Sequence, residues 1–130
     1  MKQKILIEAG QSKFKAELND EIAPETFKKL SAALPIESTA QTWGEEIYFT
    51  VAFDNNAENA TKDLSVGNIA FWPDGPALAI FFGKTPMSTG EKPVPYSPCN
   101  LVGKLLNVAA DKEKLLKVKV GEKIVVKASE

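Results

Sequence analysis

Histidine and arginine are absent from this chain of 130 residues, and cysteine occurs once. Without histidine there is no imidazole to serve as a general base, to activate a serine or cysteine, or to ligate a metal. Without arginine there is no bidentate guanidinium fork for a phosphate or a guanine edge. The single cysteine, Cys99, excludes an internal disulfide and any cysteine-based metal cluster. Its expected place is a small buried apolar position. All the positive side chains are lysines, spread along the chain against 17 carboxylates for a net charge of −1, so a nucleic-acid partner is not expected. No apolar run approaches the length of a membrane span, roughly 20 residues. Met1-Lys2-Gln3-Lys4 leads directly into a strand-like run, so no secretory leader is expected and the cytoplasm is the expected compartment.

What remains is the make-up of an ordinary globular protein, 44% apolar and 25% charged. The length suits one domain over residues 1–130, able to bury roughly 65–70% of its unfolded surface. Nothing in the pattern specifies an oligomeric state.

The most informative stretch runs from Gly67 to Pro86, two apolar runs joined by a Pro73-Asp74-Gly75-Pro76 turn. Before it, Ile5-Leu6-Ile7 and Phe14 to Leu18 read as a hairpin around Gly10-Gln11-Ser12. A helix is expected to open at Pro24, where a missing N–H does no harm, with Glu25 in its first turn. Phe27, Leu30 and Leu34 form its apolar stripe, and Pro35 stops it. From Trp43 to Phe53 the period falls to two, placing Ile47, Phe49, Val51 and Phe53 on one face and Glu46, Tyr48, Thr50 and Ala52 on the other. Asp54 to Ser65 is polar and reads as a surface loop with a short helical turn. A proline-rich loop, Pro86 to Pro98, precedes a strand at Leu101–Leu106, a short helix at Asp111–Leu116 and a last strand at Lys123–Lys127. Short strands at close spacing, with one or two helices, predict a mainly β closed or nearly closed antiparallel barrel.

Three segments also carry a family resemblance: Thr42-Trp43-Gly44-Glu45-Glu46-Ile47-Tyr48-Phe49, Trp72-Pro73 through Phe81-Phe82-Gly83-Lys84-Thr85-Pro86-Met87-Ser88, and Asn100-Leu101-Val102-Gly103-Lys104. In order and spacing the chain resembles the cyclophilin-fold proteins, especially the small uncharacterised cyclophilin-like proteins of bacteria and archaea. The resemblance implies a closed eight-stranded antiparallel barrel capped by one or two helices. Cyclophilins proper isomerise X–Pro bonds, against a barrier of about 20 kcal/mol, with a guanidinium that relaxes amide resonance. By resemblance, Glu46 falls at or beside that guanidinium's position. Trp72 stands where a small alanine is usual, Ala79 where a glutamine points at the substrate, and Phe81 at the proline-pocket phenylalanine. An ionised carboxylate cannot donate a hydrogen bond, so efficient prolyl isomerisation is not expected and no catalytic residue is assigned.

The candidate binding residues are Trp43, Glu46, Tyr48, Trp72 and Phe81. Each tryptophan is either core filler or the wall of a groove. Glu46 is either an ordinary surface glutamate paired with a lysine, or a carboxylate among aromatics with a raised pKa. Glu45 and Glu46 are adjacent on a strand and point to opposite faces, so they cannot form a close acid/base pair. Gly83-Lys84-Thr85 lacks the glycine spacing of a phosphate loop, and Asp54, Glu58 and Asp63 lack calcium-loop spacing. No cofactor and no metal site are expected. These features predict a peptide- or small-molecule-binding module, with a weak prolyl isomerase or a Glu46-based enzyme as the alternative.

Overall fold

The computed structural model describes residues 1–129 and contains nine strands and two helices. The strands are β1 (Lys2–Ala9), β2 (Ser12–Asn19), β3 (Ile36–Thr39), β4 (Gln41–Thr42), β5 (Glu46–Thr50), β6 (Asn68–Trp72), β7 (Ala77–Phe81), β8 (Asn100–Leu105) and β9 (Lys123–Ala128). Helix α1 spans Pro24–Ala33 and α2 spans Val108–Leu116. All strand pairs are antiparallel, in the order β3-β9-β1-β2-β8-β6-β7-β5-β4.

The two outermost strands of this sheet, β3 and β4, are consecutive in the chain, separated only by Ala40. The Ala40 N–H donates to Glu122 O at 2.8 Å and its carbonyl accepts from Gly121 N at 2.9 Å, which ties β3 to the β9 side. Gln41 then pairs with Tyr48 on the other side, and the Ser38 hydroxyl donates to Thr50 O at 2.7 Å. One bent segment thus carries both sheet edges and brings the barrel to near closure. The nine strands make eight staves, since β3 and β4 are halves of one. Closure leaves little unpaired edge for other chains to extend.

The interior is filled by the inward residues of every wall: Ile5 and Ile7, Phe14 and Leu18, Ile47 and Phe49, Ile69 and Phe71, Leu78 and Ile80, Val102, Ile124 and Val126. Phe27 and Leu30 of α1 and Leu115 of α2 join the same cluster. The period-two reading of β5 places Ile47, Phe49 and Val51 inside, as expected. The strand itself is shorter than Trp43–Phe53. Gly44, at φ +62°, turns the chain tightly, so Trp43 N–H donates to Glu46 O at 3.0 Å and β5 begins at Glu46. Phe53 lies beyond the strand, half-buried and stacked on Phe71 at 5.3 Å.

Residues 54–65 hold no helical turn; they are pinned by polar contacts instead. The Glu58 carboxylate accepts from Glu25 N (2.9 Å), Thr26 N (2.8 Å) and the Thr26 hydroxyl (2.7 Å), capping α1 from a distance. Ala23 in the cap position has no side chain to do this. Buried Asn100 closes the network, accepting from Glu58 N and donating to Asn56 O and Thr26 Oγ1. Burial works against the Glu58 charge, but the hydrogen bonds from Glu25 and Thr26 and the nearby Lys29 charge outweigh it and hold the carboxyl below its ordinary range.

Candidate functional site

The strand β7 is buried on both faces. Leu78, Ile80 and Phe82 point into the barrel, while Ala79 and Phe81 join Leu64, Ala70 and Cys99 in a second apolar cluster outside it. This outer cluster exists because the proline-rich loop folds back over the β5-β7-β6 surface. The Thr85 hydroxyl donates to Val94 O at 2.6 Å and Ser88 Oγ to Lys92 O at 2.8 Å, which stiffen the loop from within. Trp72 Nε1 donates to the Ser97 hydroxyl, and Thr61 and Cys99 exchange backbone hydrogen bonds at 2.9 and 3.0 Å. Lys92 pairs with Asp63. The loop is therefore held at several points along its length.

Between loop and sheet lies a cavity of about 240 Å³. From β5 come Glu46 and Tyr48, from β7 Ala79 and Phe81, and from the end of β6 Trp72. Trp43 enters from the Gly44 turn, and the loop adds Pro95, Tyr96 and Cys99. Register explains the sheet contribution: Glu46 pairs with Phe81 and Tyr48 with Ala79, so these four side chains share the outer face. Trp43, Glu46, Tyr48, Trp72 and Phe81, the five residues singled out from the sequence, all line this one cavity.

Tyr96, in the loop, was not among them. It is 70% exposed and stands edge-on to both indoles, with its ring centroid 6.3 Å from that of Trp43 and 6.4 Å from that of Trp72. Its one signal in the sequence is an aromatic residue inside an otherwise polar and proline-rich run. Cys99 is buried as expected, and its place in the cavity wall was not legible. Burial, reinforced by the charges of Glu46 and Asp74, pushes its thiol up to about 12.

The two neighbouring glutamates differ sharply. Glu45 points away and pairs with Lys112 of α2 at 3.0 Å, also accepting from Lys84 N at 3.2 Å. Glu46 is 8% exposed, and its carboxylate has no hydrogen-bond or ion-pair partner among the described residues. Loss of hydration alone raises its carboxyl to about 7. No lysine lines the cavity. Lys84, just beyond β7, is paired with Glu91 at 3.3 Å.

A second depression, about 420 Å³, lies between residues 54–60 and the Pro73-Asp74 turn, with Ser97 and Pro98 at its edge. It holds Asp54 and Asp74, yet the described residues include no cluster of His, Cys, Asp and Glu able to hold a metal ion. Among the described residues no helix is long and apolar enough to cross a membrane.

A family model described as cyclophilin-like matches residues 3–127. The solution structure of the hypothetical protein AF2241 from Archaeoglobus fulgidus is 38% identical, with a TM-score of 0.80, over 98% of this chain and 95% of that one. A crystal structure of a cyclophilin-type peptidyl-prolyl cis-trans isomerase from Cryptosporidium parvum is 16% identical, with a TM-score of 0.61, over 100% of this chain and 99% of that one; at that identity the likeness concerns the fold. Comparison with curated proteins returned no match.

Proposed function

Since the chain belongs to the cyclophilin-like family, we propose that it is a binding module in which the outer surface of the barrel holds a small ligand or a single peptide side chain without turnover. The observation that carries this reading is a buried, unpartnered carboxylate, Glu46, in the wall of a cavity otherwise built of aromatic side chains. Folding takes much of the water from this carboxylate, turns it toward the cavity and supplies no protein group in return. Size narrows the ligand: about 240 Å³ is below the roughly 300–1,000 Å³ of pockets for drug-sized molecules. A fragment or one side chain suits it better than a long peptide.

Prolyl isomerisation fits the same wall poorly. Phe81 offers an apolar contact for a proline ring, but the group beside it is acidic. Losing a transition-state donor reduces the rate tenfold for each 1.36 kcal/mol forgone. A second reading, Glu46 as a general base, is favoured by its titration near 7. Under that reading Glu46→Gln abolishes whatever turnover a substrate screen finds, and retained turnover removes Glu46 from the role.

The experiment for the binding reading uses the only two tryptophans in the chain, both in the cavity wall. Titration with a set of small amines, amides and alcohols is expected to change their fluorescence, and Phe81→Ala is expected to weaken the response. A folded protein silent toward the whole set would sink the proposal. A protease-coupled Ala-Pro-Phe peptide assay is expected to stay at background, and a rate that disappears in Phe81→Ala would favour isomerase activity instead.

A further inference from the structure

The electrostatic make-up of the cavity bears on the charge of its ligand. Its wall holds one ionisable acid that can carry charge near neutrality, several aromatic rings and no basic side chain. Around Glu46, its own strand presents the Tyr48 phenol and the loop presents the Tyr96 phenol and the Cys99 thiol. Burial foremost, with the Glu46 and Asp74 charges, keeps that thiol protonated. The neighbouring β7 and β6 contribute only Ala79, Phe81 and Trp72. None of the lining residues is a lysine; of the lysines that flank the lining segments, Lys84 pairs with Glu91 and Lys92 with Asp63, and Lys112 of α2 pairs with Glu45. Ionised Glu46 is thus an anion in want of a cation, and rings such as those of Trp43, Trp72 and Tyr96 attract cations through their electron-rich faces.

Resting on the binding-module reading, we propose that the occupant of this cavity is a small organic cation, an alkylammonium group, with the Glu46 carboxylate as its counter-ion and the Trp43 and Trp72 indoles as its walls. Shape agrees, because an ammonium on a short alkyl stem is of fragment size. A bare metal ion is a poor match, since one carboxylate among aromatic rings offers too few oxygen ligands. The rival is a neutral carbonyl that accepts a hydrogen bond from protonated Glu46, and the two differ in the sign of their pH dependence. A permanent cation selects the ionised form, so its affinity rises as pH passes through the Glu46 titration near 7. The ionised fraction grows from about one tenth at pH 6 to about nine tenths at pH 8, so apparent affinity improves roughly tenfold. A carbonyl ligand follows the opposite course.

The test is tryptophan fluorescence titration with choline and with its neutral carbon isostere, 3,3-dimethylbutan-1-ol, at pH 6 and pH 8. Choline carries its charge at both values, so any pH effect belongs to the protein. Choline is expected to bind at least tenfold more tightly than the alcohol at pH 8, and about tenfold more tightly at pH 8 than at pH 6. Glu46→Gln is expected to remove both differences, with its melting curve confirming the fold. Nα-acetyl-lysine methylamide, run alongside, shows whether a lysine side chain satisfies the same site. Equal binding of choline and the alcohol, or choline binding that weakens with rising pH, overturns the cation while leaving the cavity reading in place. Silence toward choline at both pH values also overturns it. If neutral fragments then bind, the binding module survives; if nothing binds, both readings fall.

Discussion

Replacing Glu46 by glutamine is expected to make this protein more stable above neutral pH, although the substitution removes a charge from a family-signature segment. The magnitude follows from burial. Folding raises the Glu46 carboxyl from 4.5 to about 7, and one pKa unit corresponds to about 1.36 kcal/mol. The folded state therefore binds more protons than the unfolded state between these values, and stability falls as pH rises through the window. Integrated over the window, the loss is about 3 kcal/mol, complete above pH 8 and small below pH 5. Glutamine keeps the shape and cannot ionise, so its stability curve lacks this component. Urea unfolding from pH 5 to pH 8.5 measures the difference. With a slope of about 1.5 kcal/mol per molar urea, the Glu46→Gln midpoint should exceed the parent's by about 2 M at pH 8.5 and by less than about 0.6 M at pH 5. Glu45→Gln is the control, since it removes the charge that pairs with Lys112 and accepts from Lys84 N and should show no such gain. A parent profile that is flat or rises between pH 5 and pH 7 would refute the reasoning, because Glu46 would then be solvated or paired.

Three further expectations concern the frame around the cavity. Gly44→Ala should destabilise by about 1–3 kcal/mol. The residue sits at φ +62°, where a Cβ would stand 2.9 Å from the Lys84 carbonyl oxygen and 3.0 Å from Thr85 Cα; an unchanged urea midpoint would show that the turn relaxes freely. Asn100→Ala should cost about 2–3 kcal/mol by leaving Glu58 N and Asn56 O without their partner and removing one donor to Thr26 Oγ1, and a loss under about 0.5 kcal/mol would mean that water replaces the side chain. Cys99 should resist thiol reagents at pH 8 until urea unfolds the protein. With its thiol pushed up to about 12, only about one molecule in 10⁴ carries a thiolate, so rapid labelling of the folded protein would contradict the burial described.

Much of the wall was legible residue by residue. Alternation over Ile47, Phe49 and Val51 marks the core face of β5, because successive strand side chains take opposite sides whatever the partner strand. The same alternation puts Glu46 and Tyr48 together on the outer face, and the Pro73–Pro76 turn returns β7 beside β6 so that Ala79 and Phe81 share that face. Pro24 and the Phe27–Leu30 spacing mark α1 just as directly. β5 starts later than Trp43 because Gly44, at φ +62°, turns the chain, and Glu45 interrupts the inward apolar series that begins at Ile47.

The local periods, the antiparallel barrel class and the absence of imidazole and guanidinium chemistry follow from the order of residues alone, since these depend on composition and on near neighbours in the chain. The folded chain was needed to see that Ala40 joins the two sheet edges and that the proline-rich loop roofs the outer face with Tyr96 beside both indoles. It alone decided that Glu45 finds Lys112, 67 residues away, while Glu46 finds no partner among the described residues. Hydration and pairing depend on which distant segments meet, and near closure of the barrel sets those meetings.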